Sequence, residues 1–425
     1  MRTVGTPRTA YRARAVRLLA IAAASGMLLA ALPAGIAAAG GGQTWVVHPG
    51  ESIQAAVDRA SSGDTIKIEA GTYREAVCIE HKGLTVVGAG RDRTTIAWPD
   101  WTSVDQLPDA TPTPCWTAQE NADAEDDPTT LNDDVSGLFF LNPDSPVTVT
   151  GLGTRNHPAN GIAVWGADGF DVHRTKGVGH ERYGVLAADS THVSITGNVE
   201  RGVDRGAPVY SGTSGVSVGD SDGARAYIAG NRVEGYNLGV FVRESRTGRI
   251  TGNTVTGNCV GVLVFDDSAT EIPDTTRHVV GGDWKVTGNK SVANDRYCIA
   301  GRDGSQRVSG VGMLVANADH VLLAGNTIRD NHPVIPAGEN PLTSPPGGLI
   351  LLSLASPPDT NPPGAVDPGL VEYVQVAGNT IRNNLPVDIW LTRLIPGTPL
   401  LEPGPGIVFR GNNCATSDPA TICGS

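Results

Sequence analysis

Between Ile195 and Asn412 the chain alternates apolar and polar residues in short runs. Each cycle closes on one phrase: a large apolar residue, any residue, then Gly-Asn. The phrase occurs seven times, ending at Asn198, Asn231, Asn253, Asn289, Asn326, Asn379 and Asn412. The shortest period, Asn231 to Asn253, is 22 residues. A unit of that length holds three strands, such as Gly239-Val240-Phe241-Val242, Arg249-Ile250-Thr251 and Thr254-Val255-Thr256. Alternation buries one face of each strand, and a fixed period means stacked units that share one core. Parallel strands stacked turn upon turn, about 4.8 Å apart, coil with a right hand. The pattern predicts an all-β chain, a single-stranded right-handed parallel β-helix whose three-strand rungs repeat every 22 residues at their shortest.

Within the phrase, Gly and Asn tolerate the left-handed backbone of a sharp corner. Stacked asparagines also bond from rung to rung. A second Asn follows five residues later at Asn258, Asn294, Asn331 and Asn384. Both sets are predicted to be structural ladders. Near the N-terminus, Ser52 is placed to cap a helix whose Ile53, Ala56, Val57 and Ala60 form one apolar stripe. The strand Thr65-Ile66-Lys67-Ile68 follows. Such a helix covers the open end of a solenoid.

The first 39 residues read as a secretory signal peptide: five arginines, the apolar run Leu18 to Leu32, and Ala37-Ala38-Ala39 as cleavage site. The remaining chain divides into a cap with the first strands (40–97), an acidic insertion loop (98–135) and the β-helix with its corner loops (136–425). Removing five positive charges takes the net charge from −12 to −12 − 5 = −17, which argues against nucleic acid and anionic membranes as partners. Six cysteines in an exported chain suggest disulfides. Closeness in sequence favours Cys78–Cys115, Cys259–Cys298 and Cys414–Cys423, although spacing alone leaves the connectivity open. Residues 94–154 hold 11 acids and no Lys or Arg, and eight of the acids fall between Asp109 and Asp134. A solvated or disordered loop is the plain reading of this run. A Ca²⁺ site is the alternative, although the spacing of a calcium loop is absent.

The phrase Val47-His48-Pro49-Gly50-Glu51-Ser52-Ile53-Gln54-Ala55-Ala56-Val57, with Gly63-Asp64-Thr65-Ile66 and Gly71-Thr72-Tyr73, resembles the start of pectate-lyase-like β-helix proteins. The later rungs resemble the right-handed β-helix repeat group of secreted actinobacterial proteins. That group is similar to periplasmic maturation factors of nitrous-oxide reductase and to carbohydrate-binding and sugar-hydrolysing β-helices. The resemblance spans nearly the whole mature chain and implies the fold, with a carbohydrate partner. It does not bring the catalytic signatures of polygalacturonases, alginate epimerases or pectin methylesterases, which are absent here. Copper delivery, which the maturation factors suggest, lacks its donors: there are three methionines, one of them the initiator, and the histidines form no close cluster.

Chemistry is sought where the repeat breaks. In one worn rung, Val172-His173-Arg174-Thr175 stands where the Gly-Asn phrase belongs and His180 replaces the second Asn. His173, Arg174, Lys176, His180, Arg182 and Tyr183 are the candidate catalytic residues, with Arg201 and Arg205, one rung on, as binding residues. An enzyme that cleaves or epimerises a uronic-acid polymer neutralises the carboxylate with Arg or Lys and removes the neighbouring proton with a basic side chain. That reading requires His173, Arg174, Lys176 and Arg182 to share one solvent face. Solvated charge on a degenerate rung is the competing reading. Corners lengthened after Asn198, Asn289 and Asn326, and after Phe265 and Leu352, are expected to wall a groove. One of these loops carries the acids Asp266, Asp267, Glu271, Asp274 and Asp283.

The expected function is therefore a secreted monomer that binds, and as an enzyme would cleave or epimerise, an extracellular acidic polysaccharide. A lyase or epimerase is placed ahead of a glycoside hydrolase. The alternative is a non-catalytic binding or structural β-helix module. No metal or other cofactor is expected, with Ca²⁺ at the acidic run as the exception.

Overall fold

A computed structural model describes residues 42–123, 131–205, 213–266, 280–300, 306–354, 370–394 and 404–423. Residues 1–39 therefore lie outside the described part, and so does the expectation of a signal peptide. Three parallel sheets wrap one core. Sheet A runs from Thr44–Val47 to Val408–Arg410, sheet B from Gly71–Tyr73 to Thr380–Arg382, and sheet C from Val77–Glu80 to Ser417–Asp418. Each rung visits A, B and C in turn. The chain is a right-handed parallel β-helix.

Register follows the alternation of side chains. Along the inner face of sheet A, Ile66, Val86, Val149, Val172, Ile195, Ile228, Ile250, Val286, Leu323 and Val376 stack in one column, and all are buried. A shift by one residue would turn the whole column out to solvent, so the apolar pattern holds the register. Glycine precedes each asparagine of the Gly-Asn phrase with φ between 57° and 65°. The glycine alone takes the left-handed turn, which leaves Asn free for bonding.

That bonding is complete at every inner rung. The side-chain oxygen of Asn289 accepts from the Asn253 backbone N–H at 2.9 Å and from Asn253 Nδ2 at 2.9 Å. Its own Nδ2 donates to the Ile250 carbonyl at 2.8 Å and to Asn326 Oδ1 at 3.0 Å. The same set repeats at Asn253, Asn326 and Asn379, and Asn231 makes the same donations and accepts from the Asn198 backbone N–H. A second ladder joins Asn258, Asn294, Asn331 and Asn384 and ends on the Asp388 carboxylate.

The N-terminal end is closed by helix α1 (Ile53–Arg59). Ser52 caps it, accepting from Ala55 N, and Ile53, Ala56 and Val57 face the core. Glu75 accepts from the backbone N–H groups of Ile53 and Gln54. Cys78–Cys115, Cys259–Cys298 and Cys414–Cys423 are the three disulfides. The first pins the acidic insertion, and here the expectation of a solvated loop needs correcting. Helix α2 (Pro114–Asp123) and its flanks lie on the outer face of sheet C. Cys115, Trp116 and Val135 pack there against Phe139, Leu141 and Leu186. The insertion carries its own apolar residues; Asp100, Asp105 and Asp109 are exposed around them, whereas Asp134 is buried. Residues 124–130 of the run lie outside the described part.

Asn289→Ala leaves two buried N–H donors and one carbonyl without partners, so it is expected to cost about 3 kcal/mol. The readout is the denaturant midpoint at pH 7. An unchanged midpoint would show that the ladder is incidental to stability.

Candidate functional site

The worn rung passes through both sharp corners. Asp168–His173 lies in sheet A, Lys176–Val178 in B and Tyr183–Ala188 in C. The candidate residues therefore point in different directions, and the expectation of one shared face is not met. His173 faces out from sheet A, between Thr150 and Thr196 of the neighbouring rungs, with Nδ1 3.3 Å from Asp171. Arg174 occupies the A-to-B corner at φ 54°, where other rungs place glycine. Lys176 faces out from sheet B, its Nζ 2.8 Å from Asp92. That bond holds the Asp92 carboxyl below the usual range.

The B-to-C corner takes His180 inside and leaves Arg182 and Tyr183 partly buried. His180 continues the second ladder column and is fully buried. Its Nε2 meets Thr154 Oγ1 at 2.9 Å, and its ring stacks on His157 at 5.6 Å. Burial, and then the neighbouring His157, hold its pKa well below that of a free histidine. Arg182 donates to buried Asp134 at 3.2 Å. Tyr183 is half-buried and packs against the apolar outer face of sheet C. Arg205 lies over the Trp101 ring at 4.3 Å, donates to the Gly179 carbonyl at 2.7 Å, and sits 3.7 Å from Glu181. Burial pushes Glu181 up to about 8. Glu200 points into the coil, and burial raises it well above a free carboxylic acid. These groups form a largely buried polar knot at the corner, from which Glu181 and Arg182 remain partly exposed.

Of the lengthened corners, 206–212, 267–279, 301–305 and 355–369 lie outside the described residues, and with them Asp267, Glu271 and Asp274. Asp266 is buried, and Asp283 bonds Arg246 at 2.9 Å.

Two candidates do come together, Lys176 and Arg201, both on the outer face of sheet B. They belong to a larger set that the sequence reading overlooked. Eight short strands of this sheet, from Gly153–Arg155 to Thr380–Arg382, each turn a first and a third residue outward and bury the middle one. Of those sixteen positions, seven are basic: Arg155, Lys176, Arg201, Arg232, Lys290, Arg329 and Arg382. One, Glu234, is acidic. On a chain of net charge −12 this is a cationic strip along the coil axis. A shallow pocket of about 370 Å³ lies on it, among Arg91, Lys176, Arg201, Arg232 and Glu234. Acids stand beside four of the seven cations, among them Asp92 at Lys176 and Asp330 at Arg329. Arg201 and Glu234 are 3.9 Å apart and both exposed, as are Arg155 and Asp100, and exposed pairs of this kind are weak. The signal was present in the sequence: a Lys or Arg one or three residues after the Asn of most rungs.

Comparison with known proteins fits this architecture. Residues 144–338 match the model of a family described as periplasmic copper-binding protein (NosD). The chain is a parallel β-helix repeat protein. No curated protein matches it. Among solved structures it is similar to the periplasmic alginate epimerase AlgG, at 13% identity and a TM-score of 0.44, covering 83% of this chain and 69% of that one. It is also similar to the catalytic domain of a GH87 α-1,3-glucanase in complex with tetrasaccharides, at 11% identity and a TM-score of 0.49, covering 90% and 67%. The likeness is one of architecture. A copper donor set is not assembled among the described residues. All six cysteines are in disulfides, Met313 is buried in the core, and no three His, Cys, Asp or Glu side chains converge.

Two outcomes are expected. Burial lowers His157 to about 4 from 6.5, so between those values the unfolded chain holds the extra proton. Stability should therefore fall as pH drops from 6.5 toward 4, by roughly 3 kcal/mol for this group. His157→Gln should flatten that slope in pH-dependent denaturation, and an equal slope in both proteins would show that His157 titrates normally. Arg174→Gly relieves a left-handed non-glycine and should raise the denaturant midpoint by about 0.5–1 kcal/mol. A lower midpoint would mean that Arg174 holds the corner through its side chain.

Proposed function

We propose that this chain is an extracellular binding protein for an acidic polysaccharide, which lies along the outer face of sheet B. The observation that carries the reading is the cationic strip: seven basic residues among sixteen outward positions on an otherwise acidic chain. The acidity of the remaining surface disfavours nucleic acid and anionic membrane. Three disulfides fit an oxidising compartment outside the cytosol.

Binding is favoured over cleavage by where the expected machinery sits. A proton-abstracting base must reach its substrate, whereas His180 is sealed in a ladder column and Arg182 is spent on Asp134. The carboxyls that burial raises, Asp134, Glu181 and Glu200, pack within or beside the B-to-C corner, with Asp134 against Arg182 and Glu181 beside Arg205. On the strip itself the cations stand beside Thr254, Thr256 and Thr327, which donate and accept hydrogen bonds but do not titrate. The reading asks for no metal and no second copy of the chain.

The test is affinity of the mature protein for alginate, polygalacturonate and a glycosaminoglycan, beside neutral glucans. Wild type is expected to bind the acidic polymers and to weaken as salt rises. Arg201→Glu with Arg232→Glu should bind at least about tenfold more weakly while its melting stays the same. Binding that ignores both salt and the double variant would overturn the assignment. The same mixtures, read for unsaturated uronate and new reducing ends, test the enzymatic alternative. Products formed by wild type would establish it.

A further inference from the structure

The cations of sheet B do not form a single file. Hydrogen-bond register sorts the outward positions into two columns, one from the first residue of each strand and one from the third. Lys176 shares its column with Gly153, Val199 and Arg232. Arg155 shares the other with Val178, Arg201 and Glu234. Over four consecutive rungs the basic residue therefore changes side at every step: Arg155 on the third-residue side, Lys176 on the first, Arg201 on the third, Arg232 on the first. Rungs follow one another at about 4.8 Å, and the two columns lie two residues apart along the strand, about 6.6 Å. The backbone fixes both spacings. What it presents is a zigzag of positive charge with a two-rung repeat of about 9.6 Å.

A linear polyanion matches that zigzag when its charges also alternate sides at each residue. Sugars joined through equatorial 1,4-links do this. Each link turns the next ring over by half a turn, the chain extends as a flat two-fold ribbon, and successive carboxylates point to opposite edges. The advance per sugar along such a ribbon is close to one rung. Polymers joined through axial links twist, and their carboxylates do not keep to two opposite edges. Resting on the reading of sheet B as a polyanion-binding face, we propose that the strip selects an extended two-fold, equatorially 1,4-linked polyuronate laid parallel to the coil axis. In this arrangement Arg155, Lys176, Arg201 and Arg232 engage four successive carboxylates. Exposed Arg232 is open for such a contact. Lys176 exchanges an exposed aspartate for the polymer, a small cost because both partners of that pair are hydrated. Glu234 stands opposite Arg232 in the third-residue column, where the ribbon presents no carboxylate.

The experiment compares purified mannuronan, an equatorially linked ribbon, with polygalacturonate of the same length, which carries the same one carboxylate per sugar through axial links. Binding to the mature chain is measured by calorimetry at low salt. The variant Val199→Arg with Arg201→Val keeps the net charge and moves one cation to the other column, so that three consecutive rungs present charge on the same side. Wild type is expected to bind mannuronan about tenfold more tightly than polygalacturonate. The variant should lose most of that preference while its affinity for polygalacturonate changes less than about twofold. Melting curves confirm that both proteins are folded. Equal affinity of wild type for the two polymers, or a preference that survives the exchange of columns, would overturn the zigzag and leave a general polyanion strip. No binding to either polymer would overturn the sheet B reading itself, and this inference with it.

Discussion

Everything in this molecule depends on satisfying the backbone at one corner. A coil with three faces must turn sharply between sheets A and B on every rung, and the turn takes N–H and C=O groups out of the sheet ladder into the interior. An unpaired buried amide costs about 1–3 kcal/mol, paid again on each rung. The asparagine file removes that cost: each side chain accepts from the rung before it and donates to a carbonyl of that rung and to the next Asn. The glycine beside it turns the chain so that the amide can face inward. The repeat therefore follows from amide satisfaction as much as from apolar burial.

The same principle explains which parts of the chain were legible. Ladder positions, core columns, the cap helix and its Ser52, and the disulfide pairs all follow local rules that recur with the period. The candidate site did not, because a worn rung is ambiguous in a way that only three dimensions resolve. His180 was rightly placed in the second ladder column, but that place is inside the coil, and a ladder position is a poor one for a reactive group. His173 and Lys176 are three residues apart in sequence, yet the corner at Arg174 assigns them to different sheets. The cations of sheet B were overlooked for the opposite reason. All but one of the eight rungs contribute a single cation, so no stretch of sequence looks basic, and the strip forms only when rungs more than 20 residues apart are stacked. The acidic insertion looked soluble by its charges, whereas Trp116 and Cys115 decide its place against sheet C.

Inner and outer faces answer to different constraints. Inside, Val, Ile, Leu and Asn recur because packing and amide bonding allow little else. Where the second ladder gives way to Tyr236, His180 and His157, the corner fills with Glu200, Glu181 and Arg205 as well, and burial keeps these groups away from their usual protonation. Outside, the first and third residues of the eight sheet B strands from Gly153–Arg155 to Thr380–Arg382 lie away from the core, which frees them to vary in charge.

The rung between Asn231 and Asn253 closes in 22 residues with no corner insertion. Such a unit is a ruler. Duplicating or deleting it changes the length of the coil by one strand spacing without altering the chemistry at either neighbour, because both junctions are Asn to Asn. The outer face of sheet B can therefore grow or shrink by whole units, each bringing a side chain already held in place by the rungs around it, and little ordering would remain for any ligand to impose. Valency on this scaffold becomes a matter of copy number, which recombination within the repeat can change in one step.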